Sequence, residues 1–465
     1  MPQEEPSSPL TVPTQAAGAP VAGRAHPGGG DDGFPADESD VKVVDASLRA
    51  KSAVIMRAGL LMLSSGTGAS RVRELMDRVA ESLGVRCRAD VDLVDIDLTV
   101  TDGAELFTEI ASLPSTGVNT ERMQLMNGFV DQLSRYRAGL TVGEVFGLLD
   151  EIERHPGNYH PWQHGLASGC ACGAFVFLLG GGPVEMLCAA LGAGFGNFSR
   201  RRMSTIKLNH FAAMILSVIV GGLVYLASLS LLGALVPGVD ASVHQAGYIG
   251  ALLFVIPGFP LITGGLDIAR FNFASGIQRL TYAFAVIILA CFTGWIVAIA
   301  VGFYPSEFEP QGLSAQLTCA LRLVMSFVGV FGFSVMFNST QRMCLAAALI
   351  GMVSNTCRLE LIDLASMPPE LAALVGATIS GLLASVVGLR FTMPRISLTV
   401  PSIVIMVPGL YLYRAMYFLG EFNAVDGLSW ALRAIIIILC LPLGLCIARV
   451  LTDPSWRYDG GRRRA

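Results

Sequence analysis

The chain has 465 residues, 53% of them hydrophobic and 15% charged, with a mean hydropathy of +0.58. Such a composition excludes an ordinary soluble protein of this length, and a formal net charge of −4 gives no sign of a nucleic-acid partner. Of the ten cysteines, all but Cys87 lie in or beside apolar runs, where they read as small buried side chains; no spacing suggests a disulfide framework, a metal site or a cofactor.

Residues 1–42 are rich in Pro, Gly, Ala, Ser and acids and lack the apolar core of a signal peptide, so a disordered tail is expected. Residues 43–160 read as a small cytoplasmic α+β domain. Two amphipathic helices flank "SSGTGAS" (64–70), and "RCRADVDLVDIDLTVTDG" alternates over Val91, Leu93, Val94, Ile96, Leu98 and Val100 as a strand with a hairpin after it. Two further helices follow, the last opened by a capping box of Thr141 and Glu144. The Gly-rich "SSGTGAS" lacks the Gly-Lys-Ser/Thr ending of a phosphate loop and reads as a helix–helix turn. In "HPGNYHPWQH" the spacing of His155, His160 and His164 does not fit one helix face, and Tyr159 and Trp162 suit a membrane interface.

From Gly165 the apolar runs repeat. Ten segments are expected near 165–180, 184–198, 209–235, 246–264, 280–303, 317–337, 343–357, 371–389, 398–413 and 429–450. Basic residues gather in alternate loops ("SRRRMSTIK", "DIARFNFASGIQR", "RFTMPR") and in the terminal Arg462, Arg463 and Arg464, which places both chain termini in the cytoplasm.

The two membrane halves resemble one another. "AALGAGFGNFSR" (189–200) and "AALIGMVSNTCR" (347–358) agree at five of twelve positions, including Asn197 with Asn355 and Arg200 with Arg358. "VIPGFPLI" (255–262) and "MVPGLYLY" (406–413) share Pro-Gly, at an offset of 151 residues against 158 for the first pair. Five segments repeated twice form an inverted repeat, because an odd number of spans turns the second copy over. The matched segments are also the anomalous ones: two of about 15 residues, too short for a bilayer core, and two broken by Pro-Gly. Proline removes a donor and the residue before it avoids helix, so Ile256 and Val407 are expected to end half-helices. The next half-helix then presents free N–H groups to a carboxylate, and the freed carbonyls suit an ammonium or a cation. Gly169/Gly173 and Gly192/Gly196 permit close helix approach. Asp267 is read either as an interfacial structural acid or as a group for a substrate ammonium or a coupling proton.

The order of parts resembles the threonine/serine exporter family, which joins a soluble N-terminal domain to two five-span halves. The residues that carry the resemblance are 57–85, 138–153, "GGGPVEMLCAALGAGFGNFSRRR" (180–202) and "PGFPLITGGLDIARFNFASGIQRL" (257–280). It implies efflux of small hydroxy amino acids through the cytoplasmic membrane, powered by an ion gradient. It also carries Pro257, Gly258, Asp267 and Arg279 over as functional elements. The second half has no acid equivalent to Asp267 and places Arg414 nearby.

The resulting expectation is a polytopic α-helical membrane protein with about ten transmembrane helices as a 5+5 inverted repeat, preceded by a small cytoplasmic α+β domain. The halves are 161–304 and 305–452, followed by a basic tail, 453–465. The expected substrate site comprises Asn197, Pro257, Gly258, Thr263, Asn355, Pro408, Gly409 and Tyr411. Asp267 is the expected ion-coupling residue and Arg279 its charge partner. Expected partners are a small-molecule substrate and the lipid bilayer, with a homo-oligomer left open. A dicarboxylate exporter, a membrane-bound hydrolase using the N-terminal domain, and a passive channel are the alternatives.

Overall fold

The computed structural model describes residues 36–237, 240, 243–303 and 307–457. The expected disordered segment up to residue 35 and the terminal arginines lie outside the described residues.

Helices α1 (Leu48–Ser64) and α2 (Ala69–Ser82) are joined by the Ser/Gly turn, and α3 (Thr120–Tyr136) and α4 (Val142–Arg154) complete the helical layer. The Thr141–Glu144 capping box forms: Glu144 N–H donates to Thr141 Oγ1 at 3.2 Å, and Thr141 N–H to Glu144 Oε2 at 2.9 Å. The folded part begins before Val43, because Val142 N–H donates to the Val41 carbonyl and Ser47 N–H to Glu38 Oε2.

The single expected strand is two. β1 (Arg86–Val91) and β2 (Asp95–Thr101) pair antiparallel with Val91 opposite Ile96, and β3 (Leu106–Ser112) adds to the other edge of β2. The chain reverses at Asp92–Val94, where Asp92 N–H donates to the Asp95 carbonyl at 2.9 Å. Val91, Ile96, Leu98 and Val100 still share the buried face, whereas Leu93 and Val94 belong to the turn.

The rest is helical: α5 (Pro161–Leu178), α6 (Pro183–Thr205), α7 (His210–Leu235), a 3₁₀ segment (Gln245–Val255), α8 (Gly258–Ala269), α9 (Phe273–Ala300), α10 (Ala315–Met336), α11 (Gln341–Ala365), α12 (Pro369–Phe391), α13 (Arg395–Val404), α14 (Gly409–Gly420) and α15 (Ala424–Thr452). Six of these are long and apolar enough to cross a membrane by length and composition: α7, α9, α10, α11, α12 and α15. Two bent pairs raise the number to eight, the 3₁₀ segment with α8 at 61° and α13 with α14 at 48°. The protein is thus a polytopic helical membrane protein with six to eight candidate spans behind an α+β region.

The two segments expected to be short are not. α6 has 23 residues and α11 has 25, or roughly 35 Å and 37 Å at 1.5 Å per residue. Hydropathy ends before the helix does. α6 continues through Arg200–Arg202, and α11 through Arg358, Glu360 and Asp363, the two acids of which pair with Arg322 of α10. Glycine governs how closely α5 and α6 pack: a Cβ at Gly169 would lie 2.6 Å from the Ala190 carbonyl.

Candidate functional site

The two Pro-Gly breaks have the same backbone geometry. Pro257 has φ −81° and ψ 63°, and Pro408 has φ −81° and ψ 56°. In each, the glycine N–H turns back on the carbonyl of the residue before proline: Gly258 to Ile256, and Gly409 to Val407, both at 2.8 Å. This is an inverse γ-turn. Ile256 is extended at ψ 122°, as the following proline requires.

The breaks also pack on each other. A Cβ at Gly258 would lie 2.7 Å from Val404 Cγ2, and one at Gly409 would lie 2.5 Å from Leu253 Cδ2. At both glycines the opposite half approaches the backbone closely, on a stiff Val404 at Gly258 and on side-chain tips at Gly409. Thr263, one turn into α8, donates its hydroxyl to the Phe259 carbonyl at 3.0 Å and is buried. Asn197 and Asn355 each tie two helices together. Asn197 Nδ2 donates to the His164 carbonyl on α5 at 2.9 Å; Asn355 Nδ2 donates to Ser326 Oγ on α10 at 2.9 Å, and its Oδ1 accepts from Arg358 Nε.

Among the expected substrate residues, Tyr411 borders open space. A cavity of about 520 Å³ is lined by the α5–α6 turn at Leu179 and Gly180, by residues 307–313, and by Thr318, Leu410, Tyr411, Arg414 and Trp430. It opens at the helix ends remote from the α+β domain, and its wall reaches Leu410, one residue past the second break. Arg414 stacks over Trp430 at 4.8 Å and shares the lining with Glu307 and Glu309.

Asp267 and Arg279 come together at the opposite end of the helices. Each is 2% exposed, and Arg279 Nε lies 3.2 Å from Asp267 Oδ2. Ser275 Oγ donates to the same carboxylate oxygen at 3.2 Å, and the third partner is the Ala69 N–H at the start of α2, at 3.1 Å. Gly68, the N-cap of α2, makes no side-chain cap of its own. The carboxylate of Asp267 fills that place from 198 residues away. The Gly-rich "SSGTGAS" is thus a helix–helix turn that also receives an anion.

Comparison with protein families identifies the chain. A family model described as "Putative threonine/serine exporter" matches residues 53–302, more than half of the chain, and a second, "Threonine/Serine exporter, ThrE", matches 322–451. The chain belongs to the threonine/serine exporter family. No curated protein and no solved structure matches it.

Two features of this exporter-family chain escape sequence reasoning. Glu185 at the start of α6 is buried and paired with His244 at 2.8 Å, near the end remote from the α+β domain; Tyr225 donates to the His244 carbonyl at 2.6 Å. Only the acid in an apolar run signals it, and His244 lies 59 residues on. The second feature is the junction between the α+β domain and the membrane helices, made by loops and helix ends. Thr120 N–H donates to the Phe337 carbonyl at 3.1 Å, Asn338 Nδ2 to Asn119 Oδ1 at 3.0 Å, and Tyr159 OH to the Ser339 carbonyl at 2.8 Å. Outside the membrane helices, Glu121 in the first turn of α3 is buried beside that junction, and desolvation pushes its carboxyl pKa up.

Proposed function

We propose that the chain is a secondary active exporter of small hydroxy amino acids, threonine and serine, driven by an ion gradient, with the proton as the coupling ion. Its membrane part is read as ten spans in two inverted halves, 161–304 and 305–452, with α5 and α6 as the first two, and with both chain termini in the cytoplasm. The expected site residues Asn197, Pro257, Gly258, Thr263, Asn355, Pro408, Gly409 and Tyr411 surround its core, with Asp267 as the coupling residue and Arg279 as its partner.

The observation that carries this reading is the crossed pair of Pro-Gly breaks. Their torsions agree, and their contacts are reciprocal at one offset: Gly258 on Val404 and Gly409 on Leu253 both relate by 151 residues. The same offset relates Phe271 and Phe422, both at positive φ (61° and 59°). Matched broken spans crossing in the bundle are the arrangement that suits alternating access around a central site. The family matches support the division, one ending at 302 and the next beginning at 322.

The cavity favours a zwitterion over the dicarboxylate alternative. Its lining sets one guanidinium, Arg414, against two carboxylates, Glu307 and Glu309. That balance suits a ligand with one ammonium and one carboxylate and repels a dianion.

The test is counterflow of labelled threonine, serine and succinate in liposomes, with and without a pH gradient. Saturable threonine or serine counterflow that a pH gradient accelerates is the expected result. Succinate alone would move the assignment to the dicarboxylate, and flux without saturation to a channel.

A further inference from the structure

The Asp267–Arg279 pair has donors on one side and an unfilled valence on the other. Asp267 accepts from Ala69 N–H and Ser275 Oγ and is ion-paired with Arg279. Arg279 Nε donates to Ser275 Oγ at 3.2 Å and lies 3.2 Å from the carboxylate as an ion pair, while Arg279 Nη2 is buried and has no hydrogen-bond partner. A buried guanidinium nitrogen without an acceptor is costly, and its geometry is made for a carboxylate oxygen. So one carboxylate is engaged by the positive end of a helix, and the guanidinium paired with it keeps one nitrogen without an acceptor.

We propose that Asp267 and Arg279 form the loading site for a zwitterionic α-amino acid at the α+β-domain end of the pathway, and that the N-terminus of α2 is a tethered mimic of the substrate's ammonium group. In the closed arrangement Ala69 N–H and the helix dipole hold Asp267. When the domain withdraws, the substrate ammonium takes Asp267 and its carboxylate takes Arg279 Nη2. This deepens the exporter reading and rests on it. It also gives exchange a simple basis, since a proton and a substrate ammonium cannot occupy one carboxylate together.

Two further observations fit a domain that lets go. Among the described residues, no helix of the α+β domain packs extensively along a membrane helix. The contacts around Asp267 are short polar ones: Asn272 Nδ2 donates to Ser70 Oγ at 2.5 Å, Arg73 donates to Asn272 Oδ1, and Leu93 N–H donates to Gln278 Oε1 at 2.9 Å. Such contacts exchange for water at little net cost. Gly68 is also the residue that lets the carboxylate approach, since a Cβ there would lie 2.8 Å from Asp267 Oδ1.

The experiment is hydrogen exchange of the Ala69–Arg73 amides in the full chain in nanodiscs, titrated with threonine, ethanolamine or succinate. Threonine is expected to accelerate exchange several-fold, and ethanolamine or succinate, which each supply one of the two charges, much less. Gly68→Ala is expected to raise exchange without ligand and to shift the threonine titration to lower concentration. Arg279→Lys should keep the domain bound yet move that titration at least tenfold higher. A disulfide between Ser70→Cys and Asn272→Cys, verified by mass spectrometry, should stop threonine counterflow until reduced. Unchanged exchange in threonine, in protein that shows threonine counterflow, overturns the loading site while leaving the exporter reading intact. Counterflow at the parental rate with the disulfide closed overturns it equally. Threonine-accelerated exchange without any counterflow leaves the loading site supported and removes the exporter reading.

Discussion

The crossing of the two breaks makes a prediction that distinguishes twin positions. Gly258→Ala places a methyl 2.7 Å from Cγ2 and 3.0 Å from Cγ1 of Val404, whereas Gly409→Ala places one against the tips of Leu253 and Ile256, at 2.5 and 2.6 Å. Val404 is β-branched, buried and at the end of α13, so its χ1 cannot yield. The ends of Leu253 and Ile256 can rotate away. Overpacking of a stiff neighbour costs about 1–3 kcal/mol. Alanine recovers roughly 0.5–1 kcal/mol over glycine in a helix. The net expectation is a loss of about 1–2 kcal/mol for Gly258→Ala and close to none for Gly409→Ala. Val404→Ala in the Gly258→Ala background vacates the space the new methyl needs, and the pair should couple favourably by about 1 kcal/mol. Thermal unfolding of the four variants in nanodiscs, with threonine counterflow in parallel, measures this. Equal losses at both glycines, or strict additivity of Gly258→Ala with Val404→Ala, would refute the reciprocal packing.

Arg279→Gln should destabilise more than Arg322→Gln: breaking a buried pair costs about 3–5 kcal/mol, whereas the Arg322 cluster, with Asp363 half-exposed, is worth about 1; the comparison is one of unfolding midpoints. Asp267→Asn is expected to abolish gradient-driven threonine transport and to leave exchange only at raised threonine concentration, since the same carboxylate receives the substrate ammonium, and Glu185→Gln to retain both at the parental concentration; the opposite outcome in liposomes would transfer coupling to Glu185 and His244. Glu121, facing His155 at 3.7 Å and Asn158 at 2.8 Å, has a raised pKa, so the folded state binds its proton more tightly than the unfolded chain. Its contribution is complete below the usual carboxylate range and is lost as pH rises through the raised value. Glu121→Gln, which keeps an acceptor for Asn158, should therefore gain midpoint over the parent as pH increases from 4 to 7; parallel pH profiles would refute this.

Local chemistry made much of this readable without coordinates. The capping box of Thr141 and Glu144 spans one turn, and the Pro-Gly breaks announce themselves because proline and glycine act on their own backbone. Span position follows from hydropathy, but helix length does not. Backbone hydrogen bonds continue through Arg200 and Arg358 after the apolar run has ended, so α6 and α11 outgrow their expected lengths. Alternating hydrophobicity placed Ile96, Leu98 and Val100 on one buried face, yet carried the strand through Asp92–Val94, where the chain turns. What only the tertiary structure decided is which distant groups meet: Gly258 with Val404, Asp267 with Ala69, Glu185 with His244. Each of these is a carboxylate or a bare glycine face whose partner is selected by the packing of whole helices. No periodicity within either segment encodes it.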